Sequence, residues 1–303
     1  MWDVGWWWVF ADSLHHVPIF FAHKKTQVWV LTVTPETCTL PEDLAVTATE
    51  DLPVLPYDVR GWPNFERNVA ELLACEGGAG QSILLIDEEA LEQLLRPEKM
   101  AWPEVLDAFK ANQEPPKVPN VFCDLLATKT FSVPGDLKML QDAYTVVYEE
   151  TMHTMRNLVY CDLGWGDAAA ADLSLAVQAC HLLVNIELEG NGVADEGCRV
   201  LFEAFAACGS LAQITLRSNR VGDVGAKHIA AQLPRCGSLE ELDLSFNKIA
   251  NAGAEDFIHM LEGGVHPSLK EVRLNNNLVG SSFRIRLASV ALETHGSDFI
   301  LRV

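Results

Sequence analysis

The chain has 303 residues, and its 22 Lys plus Arg against 42 Asp plus Glu give a formal net charge of −20. An acidic chain with no basic run repels phosphate backbones and anionic membrane surfaces, so neither nucleic acid nor membrane is an expected partner. With 49% hydrophobic and 21% charged residues it also falls outside the disordered class. The charge is uneven: residues 1–150 carry 10 basic and 24 acidic side chains, whereas 151–303 carry 12 and 18. The eight cysteines include no Cys-x-x-Cys pair, which leaves zinc ribbons and redox pairs without support. No signal peptide opens the chain, and a reducing, cytoplasmic setting is the expectation.

In chain order, Trp6-Trp7-Trp8 lies in an apolar run too short to span a bilayer; it reads as a buried first strand or as an interfacial segment. Gln27-Val-Trp-Val-Leu-Thr-Val33 predicts a strand. Phe65, Val69, Leu72 and Leu73 predict an amphipathic helix over 64–75, and Ser82-Ile-Leu-Leu-Ile86 predicts a second strand. Gly77-Gly-Ala-Gly80-Gln-Ser82 has no Lys before its Ser and precedes a strand, so it reads as a turn rather than a phosphate loop. Asp87 opens a helix with Leu91, Leu94 and Leu95 on its apolar face and Pro97 as its stop. Pro115, Pro116 and Pro119 mark a loop, and Asp136 starts a helix through Leu137, Leu140, Tyr144 and Tyr148. Strands alternating with helices predict an α/β layer for 1–150. His15, His16 and His23 share no metal-ligand spacing with any Cys or Glu cluster, and no metal or cofactor is expected.

Val30-Leu-Thr, followed across a loop by Arg60-Gly-Trp62-Pro-Asn-Phe-Glu66, resembles the later half of a TIR domain, with a HET-like Arg-x-Trp. The resemblance spans 19–90. It implies that Glu66 would catalyse glycosidic-bond cleavage in an NAD hydrolase. The family's first strand, first helix and pocket-completing loop would precede Trp29, where only 28 residues stand, so the reading is of a truncated domain. The simpler reading of Glu66 is a first-turn carboxylate facing the helix dipole, with Trp62 as its hydrophobic partner.

The second half repeats itself. Leu183-Val-Asn-Ile186-Glu-Leu188-Glu-Gly-Asn191 returns as Leu211-Ala-Gln-Ile214-Thr-Leu216-Arg-Ser-Asn219 and as Leu239-Glu-Glu-Leu242-Asp-Leu244-Ser-Phe-Asn247. A fourth copy is Leu269-Lys-Glu-Val272-Arg-Leu274-Asn-Asn-Asn277. Met155, Leu158 and Tyr160 form a degenerate first copy, with Leu163 at the Asn position. The alternating apolar residues predict a short strand, the Asn a turn whose amide ties off backbone groups, and the following Gly a helix. Those helices carry Leu201 and Phe205, Ile229 and Leu233, and Phe257 and Leu261 four residues apart. Cys180, Cys208 and Cys236 recur before each return and read as small apolar core residues. Residues 297–303 predict one more strand at the C-terminal edge.

This register resembles the leucine-rich repeat family, in its ribonuclease-inhibitor-like subtype, over 155–303. The expected fold is therefore α/β: a short leucine-rich-repeat solenoid over 151–303, parallel strands concave and helices convex, after an N-terminal α/β, TIR-like domain. The resemblance implies an unidentified protein partner on the concave face, in a signalling role. The outward columns read Glu187, Thr215, Asp243, Arg273 and then Glu189, Arg217, Ser245, Asn275. They form either a solvated face with cross-strand pairs such as Glu189 with Arg217, or a partner site anchored by Phe246. Charge reversal at Arg217 and Arg273, or loss of the Phe246 ring, is expected to weaken partner capture. A GTPase-activating or inhibitor role, known for this subtype, has no residue that singles it out.

Overall fold

A Leu-x-Leu alternation between turn residues leaves room for strands of about three residues, and the structure builds one in every copy. The computed structural model describes residues 28–31, 59–73, 83–86, 113–131, 133, 135–263, 268–295 and 299–303. The tryptophan triplet, the three early histidines, the turn at 77–82 and the helix after Asp87 lie outside the described residues. Two compact units divide between Tyr148 and Glu149, with 114–118 in the second.

In the first unit β1 (Val28–Leu31) pairs in parallel with β2 (Ile83–Ile86), Val28 opposite Ile83, and α1 (Gly61–Leu73) lies between them in the chain. A parallel pair needs such a crossover. The helix begins at Gly61, ahead of the expected 64, because the Gly61 N–H bonds the Thr130 carbonyl at 3.0 Å and Pro63 is tolerated in a first turn whose N–H groups need no helical partner. Asn64 Nδ2 then donates to the Arg60 carbonyl at 2.8 Å. The expected loop at Pro119 is instead the start of α2 (Pro119–Ala127), where proline takes the first helical position. Phe122 and Leu126 are fully buried, and Phe122 stacks on Tyr144 with ring centroids 3.9 Å apart. Tyr144 belongs to α3 (Asp136–Thr154), which starts at the predicted Asp136.

The second unit is one six-stranded parallel sheet in sequential order: β3 (Asn157–Val159), β4 (Asn185–Glu187), β5 (Gln213–Thr215), β6 (Glu241–Asp243), β7 (Glu271–Arg273) and β8 (Ile300–Arg302). The expected C-terminal strand is β8, with Leu301 opposite Val272. Between successive strands run α4 (Gly166–Val177), α5 (Asp195–Phe205), α6 (Asp223–Gln232), α7 (Asn251–Glu262) and α8 (Ser281–His295). Each of these helices packs on the next. Leu158, Ile186, Ile214, Leu242 and Val272 stack beneath the sheet, each 2% exposed or less. Each side chain so buried contributes about 1.5–3 kcal/mol.

Polar ladders hold the stack together. Asn219 Oδ1 accepts from the Val193 N–H at 2.9 Å, while its Nδ2 donates to the carbonyls of Leu188, Leu216 and Arg217. Asn247 repeats the pattern one copy on. A second ladder lies on the helix side. Helices α5, α6 and α7 follow Ala194, Gly222 and Ala250, whose side chains cannot cap them. Asp167 Oδ1 accepts from the Ala194 N–H, Asp195 Oδ1 from Gly222, and Asp223 Oδ1 from Ala250 and Gly253, at 2.7–2.9 Å. Each carboxylate thus caps the helix one copy later. A third ladder runs through the returns, where Ser210, Ser238 and Ser268 Oγ donate to carbonyls of the preceding copy.

The cysteine column is structural. Cys180, Cys208 and Cys236 are buried and donate Sγ–H to carbonyls four residues back, at 3.7–3.8 Å. Burial pushes their thiols up, to about 12, 11 and 11. Iodoacetamide at pH 8 is expected to leave these three and the buried Cys198 unmodified in native protein and to label them in urea, as read by peptide mass spectrometry.

Candidate protein-binding face

In-register pairing turns the predicted columns into rows of neighbours. Glu187, Thr215, Asp243 and Arg273 stand side by side across β4–β7. Six strands at about 4.8 Å make this face about 24 Å wide. Among the described residues no group of three or more His, Cys, Asp or Glu could hold a metal ion, and no helix is long and apolar enough to cross a membrane.

The charged members differ in how tightly they are held. Arg273 lies within 2.7 Å of Glu271 and 3.5 Å of both Glu241 and Asp243. Glu271 also accepts from Arg302 at 2.8 Å. Asp243, 7% exposed, takes the N–H and hydroxyl of Ser245 on Oδ1. Arg273 and Asp243 are thus members of a closed ionic cluster, and reversal of Arg273 would disturb the sheet as well as any partner. Glu241, Glu271 and Arg302 complete that cluster; the signal for Glu241 and Glu271 was their place as the other outward row of β6 and β7.

Burial pushes the Glu271 carboxyl up, but hydrogen bonds from Arg273 and Arg302 outweigh it and hold the group below the usual carboxylate range. A depressed folded-state value contributes stability above the unfolded carboxylate pKa of about 4.3, and that contribution is lost as pH falls through the lower folded value. Arg273→Ala is expected to cost about 1 kcal/mol at pH 7 and to flatten the loss of stability on acidification below pH 4, measured by urea unfolding across pH.

Towards the C-terminal ends of the strands the face is more open. Glu189 Oε1 meets Arg217 Nε at 3.1 Å, both partly solvated, as the cross-strand pairing predicted. Arg217 also places its guanidinium carbon 4.6 Å from the centroid of Phe246. Glu187 accepts from Asn185 Nδ2 at 2.8 Å, and Thr215 and Asn275 are half-buried. Phe246 is 43% exposed. Its backbone is left-handed, φ +57°, at a position where Asp162, Gly190, Ser218 and Asn276 share the same twist in the other copies. There the N–H bonds the carbonyl of the next copy, Ser218 to Ser245 and Phe246 to Asn275, at 3.0 Å. Glycine adopts this twist freely, whereas a bulky side chain costs about 1–2 kcal/mol.

Glu66 lies in the first unit, half-buried on α1 but beyond its first turn, because the helix starts at Gly61 rather than 64; burial pushes its carboxyl up against the pull of Arg60. Trp62, one turn earlier, packs edge-on against Phe65 and donates Nε1–H to Asp136 at 2.8 Å.

Residues 235–257, from the return before β6 through most of α7, match the family model described as leucine rich repeat. That match covers one of the stacked strand–helix copies of the second unit. The C-terminal domain of tropomodulin from Caenorhabditis elegans is a similar solved structure, at 14% identity and a TM-score of 0.42, covering 49% of this chain and 89% of that one. No curated protein matches the chain.

Proposed function

We propose that the leucine-rich repeats of this chain form a non-enzymatic protein-interaction module, of the ribonuclease-inhibitor-like subtype, that presents its strand face to a partner protein in a signalling assembly. The observation that carries this reading is Phe246: a large ring kept exposed at a backbone position that penalises it, in a polar face. Exposed aromatics of this kind supply a disproportionate share of binding energy. Glu189, Arg217 and Asn275 surround it as the adaptable polar contacts, while Glu187, Thr215, Asp243 and Arg273 form the floor.

Phe246→Gly separates stability from binding. It is expected to unfold within about 1 kcal/mol of wild type, because relief of the left-handed strain offsets the lost packing on Arg217. Capture of protein partners should nevertheless fall to background in affinity purification with mass spectrometry, and Arg217→Glu should weaken it. Undiminished capture by both variants would sink the strand-face reading.

A second reading, a TIR-like NAD hydrolase, is favoured by the raised carboxyl of Glu66 on the helix between two parallel strands. NAD turnover by purified chain that vanishes in Glu66→Gln would replace the first reading.

A further inference from the structure

Beside Phe246 runs a row that the sequence columns did not single out, made of the residues that follow each ladder asparagine: Gly192, Arg220, Lys248 and Leu278. The N–H groups of Arg220, Lys248 and Leu278 bond the carbonyls of Val193, Val221 and Ile249 at 2.7–2.8 Å. One residue per copy therefore stands next to its equivalent, about 5 Å apart. Arg220 and Lys248 are exposed, and among the described residues neither side chain enters an ion pair or a hydrogen bond. Leu278, at 67% exposure, ends the row one copy beyond Lys248. In a chain of net charge −20, this edge joins unneutralised positive charge to exposed apolar surface.

We propose that the edge formed by Arg217, Arg220, Phe246, Lys248 and Leu278 binds an acidic peptide segment that carries an apolar side chain. Carboxylates of the segment pair with Arg220 and Lys248, and its apolar side chain packs on Phe246 and Leu278. Charge complementarity selects this occupant. A basic segment would meet two uncompensated cations, and a purely polar one would leave both apolar residues in water. Ion pairing at such an exposed edge governs encounter and register, whereas the buried apolar contact supplies affinity. The inference rests on the reading of this region as an interaction face and names the chemistry of the partner.

The test uses the full chain and a fluorescein-labelled synthetic peptide of glutamates around a single leucine, followed by fluorescence anisotropy in low salt. Binding is expected, about tenfold weaker in the Arg220→Gln/Lys248→Gln double variant, and weakened further by physiological salt. Replacing the peptide leucine by serine, or Leu278 by serine, should also weaken it. Circular dichroism melts of the variants should match wild type, since neither cation holds another side chain. Absence of binding, equal binding of a lysine-for-glutamate peptide, or equal binding of a thymidine oligonucleotide would overturn the proposal. Partner capture lost in Phe246→Gly while the glutamate peptide is ignored would overturn this inference and leave the strand-face reading in place. A bound peptide with capture unaffected by Phe246→Gly would do the reverse.

Discussion

Asn247→Ala is expected to destabilise the second unit by about 3–4 kcal/mol, read as a shift of the urea midpoint at unchanged slope. The side chain is 6% exposed and serves four backbone groups: it accepts from the Val221 N–H and donates to the carbonyls of Leu216, Leu244 and Ser245. Alanine fills none of these roles. The Val221 N–H is left without a partner, at about 1–3 kcal/mol, while the carbonyls of Leu216, Leu244 and Ser245 keep Asn219, Asn277 and the Ser218 N–H as donors and lose about 0.5–1 kcal/mol each. Asn191 supplies an internal comparison. It is fully buried, yet among the described residues it makes two such bonds, from the Leu163 N–H and to the Tyr160 carbonyl. Asn191→Ala should cost about half as much. Equal losses at the two positions, or a loss at Asn247 below about 0.5 kcal/mol, would show that the ladder does not bind the copies together.

Gly225→Ala should cost about 2–3 kcal/mol, against the usual rule that alanine stabilises a helix by about 1 kcal/mol over glycine. A Cβ at Gly225 would stand 2.7 Å from Asp195 Oδ1, 2.9 Å from Val221 Cγ1 and 3.2 Å from the Asp195 Cα. Asp195 cannot swing aside without releasing the Gly222 N–H that it caps. Gly197 and Gly253 meet the carboxylates of Asp167 and Asp223 in the same way, at 2.6 and 2.8 Å. Gly237→Ala is the control, because nothing lies within 4 Å of its would-be Cβ, and it should be neutral within about 0.5 kcal/mol. In the double variant Asp195→Ala/Gly225→Ala the obstacle is gone, so the combined loss should fall short of the sum of the single losses. Strict additivity would rule out the carboxylate as the reason for the glycine.

These two positions mark what the sequence could and could not disclose. The period, the strand positions and the backbone-tying role of the asparagines follow from local alternation and turn chemistry, and β3–β8 stand where those signals put them. The helix-start glycines were legible as punctuation only. Their reason is a carboxylate 30 residues away, and no local pattern expresses a contact across that separation. Yet Asp167, Asp195 and Asp223 share the 28-residue step, with Asn251 next in line, so the column was present in the period. In the last copy both partners change together: Asn251 caps the Gly280 N–H, and Phe283 stands where a glycine would otherwise be. At the face, sequence alone could not rank Arg217 against Arg273. Which arginine is enclosed by carboxylates depends on Glu241 and Arg302, one strand to either side. In the first unit, Pro119 signals a turn and a helix start alike, and only the burial of Phe122 and Leu126 decides between them.

The three ladders share one further property. Nearly every long-range hydrogen bond of the second unit spans 26 to 33 residues, one copy and little more, whichever pair of copies it joins. Among the described residues no fastener reaches from one end of the sheet to the other. Under tension along the row of strands, each copy can detach only from its neighbour, with an almost constant length of chain released per step. Extension of this unit would therefore appear as a staircase of small, similar events that travels inward from a free end, in contrast to the single rupture of a sheet whose terminal strands are paired to each other.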